Sequence, residues 1–230
     1  WKTTNHGNTY APIFDNEGSY SIGCITMDPN NSKVLWVGTG ENNNQRSVAY
    51  GDGVYKSTDG GKSWQNVGLE KSEHISKIIV DPNNSDIVYV SAYGPLWSEG
   101  GDRGIYKTMD GGKKWERVFF VSENSGMADL IMDPNDNNVL YTAVHQRRRH
   151  VFTYVGGGKE SGIFKSTDAG KTWNELKSGL PTEKMGRVGL AVSSVNSNYV
   201  YAILEAEEGK GGFFRSTDKG ASWTKQSSII

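Results

Sequence analysis

The sequence holds a single cysteine, Cys24, so no intrachain disulfide can form and a disulfide-stapled scaffold is excluded. No run of 18 apolar residues occurs, so nothing reads as a membrane-spanning helix. An excess of either charge is also lacking. Against 26 Asp+Glu stand 25 Lys+Arg, a net charge of -1, and no basic field argues for nucleic acid. Helix-forming runs are nearly absent, and the stretch 69–74 offers a turn or two at most. No signal-peptide pattern and no initiator Met open the chain; Trp1 reads as the start of a trimmed N-terminus. What is abundant is glycine (29 residues), tryptophan (7) and tyrosine (11), with 6 prolines. That balance points to many short strands joined by tight turns.

Internal repetition decides the architecture. The segment Val54-Tyr55-Lys56-Ser57-Thr58-Asp59-Gly60-Gly61-Lys62-Ser63-Trp64 returns from Ile105 to Trp115, from Ile163 to Trp173 and from Phe213 to Trp223. A weaker copy, Trp1 to Tyr10, opens the chain. Asn5, Asp59, Asp110, Asp168 and Asp218 occupy equivalent places, 54, 51, 58 and 50 residues apart. A second ladder interleaves with the first. Apolar runs ending in Asp28-Pro29-Asn30, Asp81-Pro82-Asn83 and Asp133-Pro134-Asn135 each lead into an aromatic and β-branched run. The fourth copy keeps Tyr199-Val200-Tyr201-Ala202 but has Ser193 in place of the turn aspartate.

Each period therefore reads as four short antiparallel strands: one before Asp-Pro-Asn, one after it, one at Gly-Val-Tyr-Lys, one beginning at the Trp. About 50 residues and four strands per repeat is a propeller blade. The predicted fold is all-β, a β-propeller of four-stranded antiparallel blades. Residues 1–14 read as the last two strands of one blade, and 15–68, 69–119, 120–177 and 178–230 as four successive blades. That makes 18 strands, about four and a half blades of a larger ring with sequence missing at both ends. A closed four-bladed ring with a spare hairpin is the alternative.

The turn between strands three and four carries its own chemistry. Asp59 can accept from backbone N–H groups further along the turn, Ser57 can add a hydroxyl, and Gly61 suits a positive φ. Trp64 then covers the hairpin with a large apolar ring. Asp59, Trp64, Asp110, Trp115, Asp168, Trp173, Asp218 and Trp223 read as structural staples, because a unique catalytic site would not recur in every blade.

The pattern Ser-x-Asp-x-Gly-x-x-Trp resembles the Asp-box, or BNR repeat, of sialidases, two-propeller xyloglucan hydrolases and sortilin-type Vps10 propellers. It falls on Ser57/Asp59/Gly61/Trp64, Thr108/Asp110/Gly112/Trp115, Ser166/Asp168/Gly170/Trp173 and Ser216/Asp218/Gly220/Trp223, and loosely on Thr3/Asn5/Gly7/Tyr10. The resemblance covers essentially the whole chain and is specific for architecture rather than activity. It implies boxes on the periphery, away from the ligand face, and a secreted, periplasmic or cell-surface location. The early Arg-Ile-Pro-type motif and the Tyr/Glu pair of sialidases are not recognisable.

Strand parity puts the Asp-Pro-Asn and Asp-box turns on one face and the variable loops on the other. Variable loops on a rigid scaffold are where function resides. They suggest two readings. As a hydrolase, the chain would draw its acids and bases from Glu41, Asp52, Glu99 and Asp102, with Glu73 and Glu123 in neighbouring loops. As an extracytoplasmic recognition module for a protein, peptide or glycan, the leading reading, it would use Arg46, Trp97, Arg103, Arg147, Arg149 and His150. These are types enriched at interface hot spots. A purely structural scaffold is the third option. His74, His145 and His150 lack metal-site spacing, and each Asp-Pro-Asn turn offers one carboxylate, so no metal and no cofactor is expected. Arg147-Arg148-Arg149 is too short a basic run to indicate nucleic acid.

Overall fold

A computed structural model describes residues 1–43 and 48–228. Sixteen strands build four antiparallel sheets, each of four strands. The first holds β1 (Ile22–Asp28), β2 (Asn31–Thr39), β3 (Val54–Ser57) and β4 (Gln65–Asn66). The second holds β5 (Ile75–Asp81), β6 (Asn84–Ala92), β7 (Gly104–Thr108) and β8 (Glu116–Phe119). In the third, β9 (Ser125–Asp133) and β10 (Asp136–Gln146) precede a two-stranded ribbon, β11 (Arg148–Arg149) and β12 (Tyr154–Val155). The sheet then resumes with β13 (Gly162–Ser166) and β14 (Asn174–Leu176). The fourth holds β15 (Met185–Val192), β16 (Val200–Ala206), β17 (Gly212–Ser216) and β18 (Thr224–Ser228).

The described residues hold 18 strands, two of which are not those expected from the sequence. Residues 1–14 form a single bridge, Lys2 to Ala11, in place of two strands. The two remaining strands are the ribbon β11–β12. The weak N-terminal repeat is nonetheless wired as an Asp-box. Thr3 Oγ1 donates to Asn5 Oδ1 at 3.0 Å, and Asn5 Oδ1 accepts the Thr9 N–H at 2.9 Å.

The innermost strands pack in succession, β1 on β5, β5 on β9 and β9 on β15, with no comparable packing from β15 back to β1. The sheets thus form an open arc of propeller blades, and the closed four-bladed ring is not adopted. The core lies between blade faces. Trp36, Val54, Ile75, Ile78 and Val90 fill the first junction, Tyr89, Ile105, Met127 and Leu130 the second, Tyr141, Ile163, Val188 and Phe214 the third.

The two sets of short turns share one edge, as parity requires. The N–H groups of Gly60, Gly111, Ala169 and Lys219, in the box turns, donate to the carbonyls of Lys33, Asp86 and Asn138 at the start of the second strand and of Asn198 just before it. Within each box the serine or threonine hydroxyl donates to the aspartate, which accepts turn N–H groups (Lys62 and Ser63 at 2.9 and 3.0 Å in the first). Gly61 has the positive φ expected of it, 86°, and the residue before it is left-handed as well. That place is taken by His6, Gly60, Gly111, Ala169 and Lys219, so the hydrogen bonds force even alanine and lysine into it.

The box tryptophans divide into two classes that sequence does not separate. Trp64 and Trp115 donate across the junction to Ile13 O (2.6 Å) and Val67 O (2.7 Å) of the preceding turn. Trp173 and Trp223 donate within their own turns, to Gly170 O and Gly220 O. Only Trp223 is fully buried; Trp64, Trp115 and Trp173 are half-buried.

Candidate functional site

The variable loops knit together across blades on the edge opposite the boxes. Gly51 N–H donates to Glu73 O, Tyr93 to His74 O, Asp102 to Lys71 O, Gly100 to Glu123 O and Arg147 to Asn124 O. Each is a bond between a loop within one blade and a blade-to-blade loop. The ribbon joins its neighbour through Arg149 N–H to Leu96 O at 2.9 Å, which fixes the ribbon against the loop 93–103.

Of the basic candidates, Arg46 lies outside the described residues. Arg103, expected on a binding face, is 1% exposed and serves its own loop. Its guanidinium donates to Gly100 O (2.9 Å), Tyr93 O (2.9 Å), Ser98 O (3.0 Å) and Pro95 O. Burial lowers its pKa to about 10, so it stays a cation at neutral pH. A planar fork with five donors is the one side chain able to satisfy so many convergent carbonyls. Arg147 is buried to the same degree, its guanidinium 3.8 Å above the Tyr93 ring and donating to Asn43 O at 2.9 Å. Arg149 stacks 3.9 Å over Tyr154 across the ribbon. The arginine run is therefore an internal scaffold, with His150 exposed beside it at the ribbon's turn.

Beneath these cations Tyr93 Oη and His145 Nδ1 share a short hydrogen bond. Burial pushes the Tyr93 hydroxyl up to about 12 and His145 down to about 4, with the charge of Arg147 adding to the histidine's shift. His74 falls to about 4 for the same two reasons. Both histidines are neutral at physiological pH.

The carboxylate candidates are engaged one by one. Asp52 accepts the Tyr55 hydroxyl at 2.6 Å and the Thr39 hydroxyl at 3.3 Å. Glu41 accepts the Ala49 N–H, Asp102 accepts the Lys71 N–H, and Glu99 stands 3.9 Å from Arg148. Burial raises the Glu73 carboxyl, opposed by Arg103. Glu160, which no sequence signal marks, accepts the Ser122 and Ser125 hydroxyls at 2.6 and 2.5 Å and ties the loop after the ribbon to the start of its own blade's first strand.

The loop face presents two large aromatic rings to solvent, beside exposed polar residues such as Glu99 and His150. Trp97 is 50% exposed, and Phe152, at the ribbon's tip, 92%. The Arg149–Leu96 bond makes their loops contiguous. Phe152 was legible only as one residue of a long loop. A cavity of about 520 Å³ opens further along the same edge, between Lys159, Pro181, Met185 and Glu207. A larger one, about 710 Å³, sits at the opposite edge, where residues 2–17 meet Gly60–Trp64. It is a gap beside the shortened N-terminal hairpin.

Comparison with known proteins meets this geometry. A family model described as "Sortilin, neurotensin receptor 3" (Sortilin-Vps10) matches residues 52–160. A xyloglucanase of a Paenibacillus species is 26% identical over 223 residues, 95% of this chain and 18% of that protein. A xyloglucanase of Hypocrea jecorina is 23% identical over 189 residues, 71% of this chain and 21% of that protein. Among solved structures, the GH74 enzyme of Niastella koreensis superposes with a TM-score of 0.64 at 22% identity, covering 88% of this chain and 29% of that one. The chain is similar to the Asp-box propellers. It spans about a fifth of the length of the curated relatives it matches. As the Asp-box resemblance implies, the boxes and the variable loops occupy opposite edges. No helix among the described residues is long and apolar enough to cross a membrane.

Proposed function

We propose that this chain is an extracytoplasmic recognition module that binds a glycan along its loop face, with Trp97 and Phe152 stacking on sugar rings. The observation that carries this reading is the division of labour on that face. The arginines are spent on holding loops, and large aromatic rings are left to solvent on two loops that are bonded together. Exposed aromatic surface of this kind marks interaction sites. The xyloglucanase relatives favour carbohydrate over peptide as the ligand. The location rests on the sortilin-type resemblance.

Hydrolysis is the second reading, supported by those same relatives. The engagement of Glu41, Asp52, Glu99 and Asp102 in loop-fixing contacts speaks for recognition over catalysis. The discriminating experiment is calorimetric titration with xyloglucan oligosaccharides, alongside an assay for reducing ends. Trp97→Ala should weaken binding at least about tenfold with the denaturant melt unchanged, and Lys62→Ala on the opposite edge should leave it intact. Binding that survives Trp97→Ala but not Lys62→Ala would move the site to the box edge. Release of reducing ends would favour the hydrolase reading.

A further inference from the structure

Past the ribbon's tip the loop face continues into a groove between the third and fourth blades. From Phe152 the chain returns along β12 into Gly156-Gly157-Gly158, and these residues wall two cavities in turn. The nearer, about 390 Å³, is lined by Tyr154 to Gly157 together with Gly186 and Glu205. The farther is the cavity of about 520 Å³ that holds Lys159, Pro181 and Met185. Lys184 and Glu207 line both, and their ion pair at 3.2 Å marks the divide. Each volume falls within the range of small-molecule sites, about 300–1,000 Å³.

The groove belongs to an internal junction, with both of its blades complete. Met185 is 6% exposed and sits in the core cluster of that junction. Gly158 N–H donates to Met185 O at 3.1 Å, and Glu207 N–H donates to Lys184 O at 3.0 Å, so the surrounding loops hold one another. The glycine run is what permits the approach. A Cβ added at Gly157 would stand 2.6 Å from Met185 O, so only bare backbone fits there.

The lining combines apolar surface with paired charge. Leu176, Pro181 and Met185 suit the C–H face of a sugar ring, while the Lys177–Glu175 (2.7 Å) and Lys184–Glu207 pairs offer donors and acceptors to its hydroxyls. Both lysines already face carboxylates, so an acidic ligand would meet repulsion beside each attraction. A neutral, hydroxyl-rich ligand meets none. Exposed ion pairs contribute little to folding, so hydroxyls can displace the Lys184–Glu207 contact at small cost.

We infer that this groove is a second glycan subsite: a neutral oligosaccharide stacked on Trp97 and Phe152 extends along β12 into it, crossing at Lys184 and Glu207. The inference rests on the glycan reading of the loop face.

Calorimetric titration with xyloglucan oligosaccharides of one and two repeating units tests the extension. The longer ligand should bind at least about tenfold tighter than the shorter. Thr182→Cys, exposed beside the farther cavity, provides a handle for a bulky maleimide, and the unlabelled variant is its own folding control. Labelling should remove the gain of the longer ligand and leave the affinity for the shorter one as it was. The parent chain treated with the same reagent, which accounts for Cys24, should keep the gain. Trp97→Ala should weaken both lengths. A gain that is absent, or that survives the label at Thr182→Cys, overturns the groove while the aromatic platform stands. Failure of both lengths to bind overturns the glycan reading and the groove with it.

Discussion

At the scale of single residues, one composition motif hides several physical situations. Trp223 is 5% exposed in a core cluster, so Trp223→Ala should cost about 3–5 kcal/mol. Trp115 and Trp173 are half-buried, and their replacement should cost less, about 1–3 kcal/mol. Urea melts of the three variants give the ranking; equal losses would contradict it. Arg103 carries a comparable load without facing a ligand. Arg103→Ala would orphan four carbonyls and should cost about 2–4 kcal/mol. Hydrogen exchange should accelerate first in residues 93–103. The titrating groups set an acid limit in two stages. His74 and His145 have folded pKa values of about 4, below the ordinary 6.5, so between those values the unfolded chain binds more protons. Stability should therefore fall as pH drops from 6.5 to 4. Box carboxylates Asp168 and Asp218 are held at about 2 by the hydroxyl and N–H groups of their turns. Their stabilisation is complete above the unfolded value near 4 and drains as pH falls from there toward 2. Urea midpoints between pH 3 and 8 should show both stages, and His74→Gln with His145→Gln should flatten the upper one.

At the scale of elements, the junction is the repeating unit of stability. Tyr141→Phe removes one hydroxyl bond to Lys219 O and should cost about 1 kcal/mol, with Lys165 still bridging the blades. Gly112→Ala is a harsher test. Its φ is +94°, and an added Cβ would stand 2.9 Å from the Trp36 ring, so both backbone and junction must give. A thermal melt should place it well below Tyr141→Phe. The strand pattern, the turns and the wiring of the boxes were legible in the sequence because they are local: hydroxyl, carboxylate and glycine lie within five residues of one another. The ribbon β11–β12 was not legible, since two-residue strands carry no periodicity.

At the scale of the whole molecule, the loop face shows why candidate binding residues are harder to read than folds. Arg103, Arg147 and Trp97 look alike as hot-spot types, yet two are buried and one is half exposed. Phe152 stands out only once the Arg149–Leu96 bond sets the ribbon beside the loop 93–103. Hydrogen exchange in the presence of a bound oligosaccharide should protect residues 96–98 and 151–153 together, and protection of the box edge alone would count against a site there.

The sequence by itself determined the blade: its four strands, its order, its box and the edge on which each turn lies, because a repeat states the same local physics five times. Tertiary structure alone decided which charged side chains remain for a partner. Burial depends on what each loop leans against, and a neighbour such as Asn43 for Arg147 comes from folding and not from proximity along the chain.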